Sequence, residues 1–165
     1  AAYEPGFGLS PPAGIVVKEA TQPEEIWGAA SVLAGQEKGL DLMEMLQPVA
    51  GLAYMRLLST VSLQTPLTVV AVADEGVVGM AEVKKNGYVR NLVVKPTWRR
   101  RGVASRLLRW CAESSHERGA EKLWLHVSLD NQQAFEFYQR LNFTLGDEEA
   151  YGPDNEPGRR LYRTL

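Results

Sequence analysis

The chain has 165 residues, of which 45% are apolar and 23% are charged. This length and composition are typical of one globular domain with room for a hydrophobic core. The net charge of −2 argues against a dedicated nucleic-acid-binding protein, and the single cysteine, Cys111, excludes a disulfide within the chain. With two histidines beside that cysteine we expect no metal site, and no apolar run approaches the roughly 18 residues that a membrane-spanning helix needs.

The first third of the chain predicts a lead-in, a strand and two helical stretches. Residues 1–13 contain three prolines and two glycines and are expected to be extended. The β-branched run at 15–17 predicts a first strand, and Thr21 predicts the N-cap of a helix that ends near residue 34. Residues 41–63 are apolar at helical spacing, which predicts a second helical stretch.

From residue 67 the hydrophobic pattern changes from helical spacing to runs that are typical of strands. Asn86-Gly87 is a strong hairpin-turn signal, so we expect three consecutive strands to form an antiparallel meander. The three strand-like segments lie at 67–73, 77–83 and 88–94.

The second half alternates helices with strands. A helical pattern runs from about Gly102 to Glu117, and Asn131 opens a further helix. Together with the first half, the order is β-α-α-β-β-β-α-β-α-β-β. This order predicts an α/β (α+β) domain, with a mixed, mostly antiparallel sheet of about seven strands flanked by four helices. The strands of the second half are predicted at 122–127, 143–145 and 159–164.

Positive charge is concentrated in one part of the chain. Residues 81–109, called here the basic block, carry nine basic side chains and one acidic side chain, a net charge of +8. Within the block, Arg100, Arg101 and Gly102 precede a predicted helix, whose N-terminus offers unpaired amides and the positive end of the helix dipole. This arrangement is suited to a phosphate or pyrophosphate, although the Walker and dinucleotide glycine patterns are absent. A solvated basic helix start is the alternative.

Two motifs resemble those of one enzyme family. Residues 91–104, NLVVKPTWRRRGVA, resemble the pyrophosphate motif R/Q-x-x-G-x-G/A of the GNAT superfamily of acetyl-CoA-dependent N-acetyltransferases. Residues 131–143, NQQAFEFYQRLNF, resemble its signature N-x-x-A-x-x-x-Y-x-x-x-G-F. Asn142 stands in place of the glycine, and we expect it to adopt the same left-handed turn. The resemblance is close over 80–143 and implies a single GNAT-like domain at 14–165 that uses acetyl-CoA.

The resemblance also implies which residues hold acetyl-CoA. Backbone groups of three consecutive strand residues would pair with the pantetheine arm, and amides of the following turn would wrap the pyrophosphate. Tyr138 would lie near the thioester sulfur and protonate the leaving thiolate, and a core tyrosine is the alternative. The residues so assigned are Leu92, Val93, Val94, Arg99, Arg100, Arg101, Gly102, Val103, Ala104, Ser105, Asn131 and Tyr138.

A base must take a proton from the attacking amine, and the resemblance points to His126. Residues 125–131, LHVSLDN, resemble a eukaryotic N-terminal acetyltransferase type in which this histidine acts through water, with a tyrosine on the preceding strand. That tyrosine corresponds to Tyr88. A packed strand histidine is the alternative. The implied catalytic residues are therefore Tyr88, His126 and Tyr138, with no metal.

The acceptor is expected to be the N-terminus of a protein or peptide. A free α-amine has a pKa of about 7.7–8.0, against about 10.4 for lysine, so a histidine base suits the α-amine without excluding lysine. The acidic segment 147–156 is expected to be a loop facing a cationic acceptor, with Tyr151 as a clamp, or else a solvated loop. The segment 35–45 would form the opposite wall.

Two other functions stay open. A small-molecule amine acetyltransferase, acting on a polyamine or an aminoglycoside, would share the fold and the donor. A non-catalytic CoA-sensing or nucleic-acid-binding module would use the basic block differently, but few aromatic residues lie within the block, so we expect neither a nucleic-acid nor a membrane partner.

Plastid members of the family look similar around 99–104 and 125–127, and the chain begins without Met. We therefore expect a plastid location after transit-peptide removal, with the cytoplasm as the alternative.

Overall fold

The computed structural model describes residues 14–35 and 66–165. Within these ranges it contains seven strands and three helices in the predicted order. The lead-in predicted at 1–13, the helix predicted over 41–63 and residues 36–45 of the predicted acceptor wall lie outside the described residues. The strands are β1 (Val16–Glu19), β2 (Leu67–Ala73), β3 (Gly76–Val83), β4 (Val89–Val94), β5 (Lys122–Ser128), β6 (Thr144–Tyr151) and β7 (Glu156–Thr164), and the helices are α1 (Pro23–Ala34), α2 (Val103–Glu117) and α3 (Gln132–Arg140).

The first sheet is antiparallel, with the strand order β1-β2-β3-β4, and it packs against two cores. Val69 and Ala71 on β2 join the core beneath α2, whereas Val70 and Val72 join a smaller core beneath α1. Full burial of one such valine contributes about 1.5–3 kcal/mol, so the alternation along β2 decides which face each helix covers. This sheet between helices confirms the predicted fold class.

The second sheet is also antiparallel and has the strand order β5-β7-β6. In the described part of the chain, one parallel bridge between Tyr88 and Trp124 joins it to the first sheet. The sheet predicted as mixed therefore consists of two antiparallel sheets that meet at this bridge.

The joint between the sheets depends on Gly87, which has a φ of 81°. A Cβ at this position would overlap the carbonyl oxygen of Lys122. The Trp124 amide donates to the Gly87 carbonyl over 3.0 Å, and its indole Nε1 donates to the Asn86 carbonyl over 3.1 Å. Beyond the joint β4 and β5 share no ladder within the described residues, so the two strands diverge and leave an opening.

Two local predictions near helix ends have different outcomes. The N-cap of α1 is Gln22 rather than Thr21. The reason is Glu25, whose carboxylate accepts hydrogen bonds from the amides of both Thr21 and Gln22, over 2.9 and 3.1 Å. Asn142, after α3, adopts the predicted left-handed conformation with a φ of 61°.

The acidic segment 147–156 is strand over most of its length, which corrects the predicted loop. Only residues 152–155 connect β6 to β7. A run of acidic side chains is typical of a loop, which is why the sequence did not predict this strand. Arginines of β7 pair with two of these side chains and stabilise the strand pairing. These pairs are Glu148 with Arg159 and Glu149 with Arg160.

Candidate active site

Strand β4 has one edge available to a ligand in extended conformation. Its pairing with β3 is interrupted by a bulge opposite Ala81, where Asn91 has a φ of 53°. The side chains of Leu92 and Val94 pack on the larger core, and that of Val93 packs on the smaller one. Because these three side chains pack on the two cores, the backbone groups along the β5-facing edge of β4 are the groups that an extended ligand would pair with.

The turn after β4 ends at an uncapped helix N-terminus. Arg100 and Gly102 have φ values of 61° and 78°, and Gly102 is the N-cap of α2. Among the described residues no side chain caps this terminus, and its first turn has no acidic residue. The first amides of a helix have no intrahelical acceptor, so the amides of Val103, Ala104 and Ser105 are suited to a pyrophosphate.

The arginines before α2 are tied to the turn that they flank. Arg99 donates from Nε to the Val94 carbonyl over 3.1 Å. The guanidinium of Arg101 lies 4.9 Å from the ring centroid of Trp98, whose Nε1 in turn donates to Glu75 over 2.8 Å. These contacts hold positive charge beside the helix N-terminus, where an anion is stabilised.

Other charges of the basic block bond to protein groups. Two arginines join neighbouring elements, a third pairs within α2, and none of these three belongs to the pyrophosphate motif. The high local charge is therefore only partly a ligand-binding feature. The pairs are Arg90 with Glu82, Arg106 with the Ile15 carbonyl and Arg109 with Glu113.

Helix α3 carries the other two residues assigned to the cofactor. The Asn131 side chain accepts from the Ala134 amide over 3.1 Å, so the structure gives it a helix-capping contact. Tyr138 is 9% exposed and packs edge-on against Phe137 and Phe143. Burial raises its pKa well above the usual value, so the hydroxyl keeps its proton at neutral pH.

His126 and Tyr88 lie together beside the bridge that joins the two sheets, where the pairing of β4 with β5 ends. The Tyr88 hydroxyl is 3.2 Å from Nδ1 of His126. The bridge that joins the sheets creates this contact, since it sets Tyr88 beside Trp124, two residues before His126 on β5. Desolvation by burial raises the pKa of Tyr88, with Arg90 opposing and Glu149 adding to the effect. The structure thus brings together two residues predicted to form the base.

Glu149, which the sequence did not single out, contacts His126 and is itself held by Arg160. Nε2 of His126 lies 2.6 Å from Oε1 of Glu149, and Arg160 binds both carboxylate oxygens of Glu149, over 2.8 and 2.9 Å. The hydrogen bond from His126, followed by that from Arg160, lowers the pKa of Glu149. His126 and Arg160 lie on the predicted strands 122–127 and 159–164 and pair across β5 and β7, but Glu149 joins them only because β6 extends to Tyr151.

Tyr151, predicted as a clamp on the acceptor, lies over the histidine ring. Its ring is stacked on that of His126, with a centroid distance of 5.1 Å and an interplanar angle of 11°. The ring crosses the intervening strand at Gly158, where a Cβ would overlap it. Gly158 therefore permits the stack that limits tilting of the imidazole.

The described residues contain neither a metal-ligand cluster nor a helix suited to crossing a membrane. Residues 14–35 and 66–165 contain no group of three His, Cys, Asp or Glu side chains that could hold a metal ion. In the same two ranges, no helix combines the length and apolar character needed to cross a membrane.

An uncapped helix N-terminus, a tyrosine–histidine pair and a strand, β4, that shares only one bridge with β5 among the described residues lie on neighbouring elements of this fold. Residues 40–143 match the acetyltransferase (GNAT) family, and the chain belongs to that family. The donor used by this family is acetyl-CoA, which the two backbone sites fit.

Three curated relatives match parts of the chain. GCN5-related N-acetyltransferase 6, chloroplastic, of Arabidopsis thaliana is 39% identical over 59 residues, 36% of this chain and 20% of the relative. Streptothricin acetyltransferase of Streptomyces lavendulae is 35% identical over 107 residues, 59% of this chain and 57% of the relative. N-alpha-acetyltransferase 30 of Schizosaccharomyces pombe is 33% identical over 57 residues, 34% of this chain and 38% of the relative. The matches span less than two thirds of each relative.

Solved structures share the fold. Ard1 from Thermoplasma volcanium has a TM-score of 0.69 at 19% identity, covering 93% of this chain and 99% of that one. An aminoglycoside 6'-N-acetyltransferase complexed with coenzyme A has a TM-score of 0.70 at 15% identity, covering 90% and 96%. At these identities the likeness concerns the fold alone.

Proposed function

We propose that the chain transfers the acetyl group of acetyl-CoA to the N-terminal α-amine of a protein or peptide, with lysine side chains as a second class of acceptor. The observation that carries the proposal is the Tyr88–His126 contact of 3.2 Å where β4 and β5 diverge. In this proposal His126 is the base, and the family's donor would lie between β4 and β5.

The reaction has few catalytic requirements. The amine attacks the thioester carbonyl, the carbon–sulfur bond breaks, and the thiolate leaves. The protein must orient both substrates, stabilise the oxyanion, accept one proton from the amine and give one to the thiolate. In this proposal backbone groups of β4 and the first turn of α2 hold the donor, His126 with Tyr88 accepts the proton, and Tyr138 supplies one.

The preference for an α-amine follows from acidity. The α-amine is easier to deprotonate than lysine by about 2.4–2.7 pKa units, or about 3–4 kcal/mol at neutral pH. An imidazole is better matched to the less demanding acceptor. The similarity to N-alpha-acetyltransferase 30 supports the same choice.

A mass-spectrometric acceptor screen tests this function. One peptide set has a free N-terminus and no lysine, and a matched set has a blocked N-terminus and one lysine. We expect rapid acetylation of the first set and slower acetylation of the second. Failure of both sets, with rapid turnover of small amines in parallel reactions, would overturn the proposal.

A small-molecule acceptor is the second candidate. The match to streptothricin acetyltransferase covers 107 residues, a longer stretch than either of the other two curated matches given above. Streptothricin, an aminoglycoside and spermidine therefore belong in the same screen. Preference for one of them over every peptide would favour this candidate.

A plastid location is part of the proposal, together with a single domain over residues 14–165. The identity of 39% to a chloroplastic relative supports the location. Imaging the full gene product, tagged at its C-terminus in a plastid-containing cell, tests it. Signal confined to the cytoplasm would contradict it.

A further inference from the structure

The imidazole of His126 has a separate partner at each nitrogen. Nδ1 faces the hydroxyl of Tyr88 and Nε2 faces the carboxylate of Glu149. A neutral imidazole carries one proton, so one nitrogen donates and the other accepts. Which nitrogen is free to take a proton from the acceptor amine depends on these partners.

We propose that Glu149, held by Arg160, is a positioning residue that fixes the proton of His126 on Nε2, so that Nδ1, facing Tyr88, accepts the proton from the amine. The inference rests on the proposed function, because it concerns the base of that reaction.

The chemistry of a carboxylate decides the tautomer. An ionised carboxylate has only acceptor lone pairs, so Nε2 must donate across the 2.6 Å contact with Glu149. Arg160 binds both oxygens of that carboxylate and keeps it ionised. Nδ1 is then left with a lone pair, to which the Tyr88 hydroxyl donates.

Groups on β5, β6 and β7 surround the His126 ring and hold it in this arrangement. On β5 the ring of Trp124 lies 5.8 Å from His126, and the Arg160 guanidinium on β7 lies 5.2 Å from the Trp124 ring. On β6 the ring of Tyr151 stacks on the imidazole. The charged or titratable groups around His126 are Tyr88, which immediately precedes β4, Glu149 and Tyr151 from β6, and Arg160 from β7.

The proton balance is simple. One proton leaves the amine nitrogen and reaches Nδ1, through the Tyr88 hydroxyl or a water beside it. His126 then carries protons on both nitrogens, and its positive charge is stabilised by the Glu149 carboxylate. The thiolate takes a proton from Tyr138, Tyr138 regains one from solvent, and His126 releases its extra proton to solvent, so that both residues return to their starting states. The Glu149–His126 contact resembles the carboxylate–histidine pairs of hydrolytic enzymes and metal sites, in which the carboxylate fixes the tautomer of the histidine.

Strands β6 and β7 offer a matched control. Glu148 pairs with Arg159 on the same two strands, and alternation along a strand places that pair on the opposite face from Glu149 and Arg160. Glu149→Gln therefore alters the His126 contact, and Glu148→Gln makes the same chemical change away from it.

The first readout is nitrogen-15 NMR of the histidine ring. The chain has two histidines, and His116→Gln removes the second set of signals. We expect the Nε2–H tautomer in the wild type and in Glu148→Gln, and loss of that single tautomer in Glu149→Gln. A wild-type Nδ1–H tautomer, or an unchanged spectrum in Glu149→Gln, would overturn the inference.

The second readout is kinetic. We expect Glu149→Gln to lower kcat about 10- to 100-fold with the KM for acetyl-CoA unchanged. Equal kinetics in Glu149→Gln and Glu148→Gln, in an enzyme that acetylates peptides, would overturn the positioning role alone. The Nε2–H tautomer in a protein that acetylates no amine would instead overturn the proposed function.

Discussion

The two sheets offer different kinds of groups to a ligand. The first sheet offers backbone, namely the open edge of β4 and the uncapped first turn of α2. The second sheet offers side chains, with His126, Glu149 and Arg160 contributed by three different strands. A backbone site is contained in one continuous stretch of sequence, whereas a side-chain site depends on the register of strands that are distant in the chain.

The joint at Gly87 gives the largest expected effect, because it connects the two regions. Gly87→Ala would introduce a Cβ that overlaps the Lys122 carbonyl, in addition to left-handed strain. We expect a loss of about 3 kcal/mol or more in unfolding free energy, measured by denaturant titration.

Gly119→Ala is the control for backbone strain alone. Gly119 has a φ of 83°, and a Cβ there has no neighbour within 4 Å. We expect this variant to lose only about 1–2 kcal/mol. Equal losses of unfolding free energy in the two variants would mean that the close approach of the sheets at Gly87 adds nothing to the cost of backbone strain.

Removing the Tyr138 hydroxyl tests whether this residue protonates the leaving thiolate. Its raised pKa keeps the hydroxyl protonated up to and beyond about pH 10, so its ionisation does not limit the alkaline side of the pH–rate profile. We expect Tyr138→Phe to lower kcat about 30-fold with little change in the KM for acetyl-CoA. Tyr162→Phe, on β7, is the control, and equal kinetics in both variants would return Tyr138 to a packing role.

Arg101 tests the backbone site by charge. We expect Arg101→Glu to weaken acetyl-CoA binding about tenfold, measured by calorimetry, because it places negative charge beside the helix N-terminus. Arg109→Glu reverses a charge on α2 at a residue that pairs with Glu113, and should leave affinity nearly unchanged. Equal weakening would indicate a general effect of net charge rather than a local site.

The smallest expected effect is on the pH dependence of stability, and it concerns Cys111 in the larger core. Burial raises the pKa of the Cys111 thiol to about 12. Because the folded value exceeds the unfolded one, this contribution to stability is complete below about pH 8.5 and is lost as pH rises toward the folded value. We expect Cys111→Ala to lose less stability than the wild type between about pH 8 and pH 10, as followed by thermal unfolding. Parallel curves would show that the thiol makes no such contribution.

The sequence predicted the first region closely and the second only in part. The meander, the turn at Asn86-Gly87 and the helix after Gly102 are local in sequence, so spacing and turn residues determine them. The contact between Tyr88 and His126 was expected from the resemblance, and the bridge at Trp124 explains how it forms.

Glu149 and Arg160 were missed for a physical reason. Successive acidic residues at 147–149 are typical of a solvated loop, and the charges that make them a strand come from a separate segment. Strand register is not encoded locally, so the face shared by Glu149 and His126 became visible only in the structure.

The central claim is that His126, with Tyr88, takes the proton from the acceptor amine. It is tested most directly by the pH–rate profile of kcat/KM with a free N-terminal peptide, comparing the wild type with His126→Gln. The acceptor amine gives its own inflection near pH 8 in both proteins. The account predicts a second, acid-side inflection in the wild type alone and a rate about 100-fold lower in His126→Gln. Superimposable profiles would contradict it.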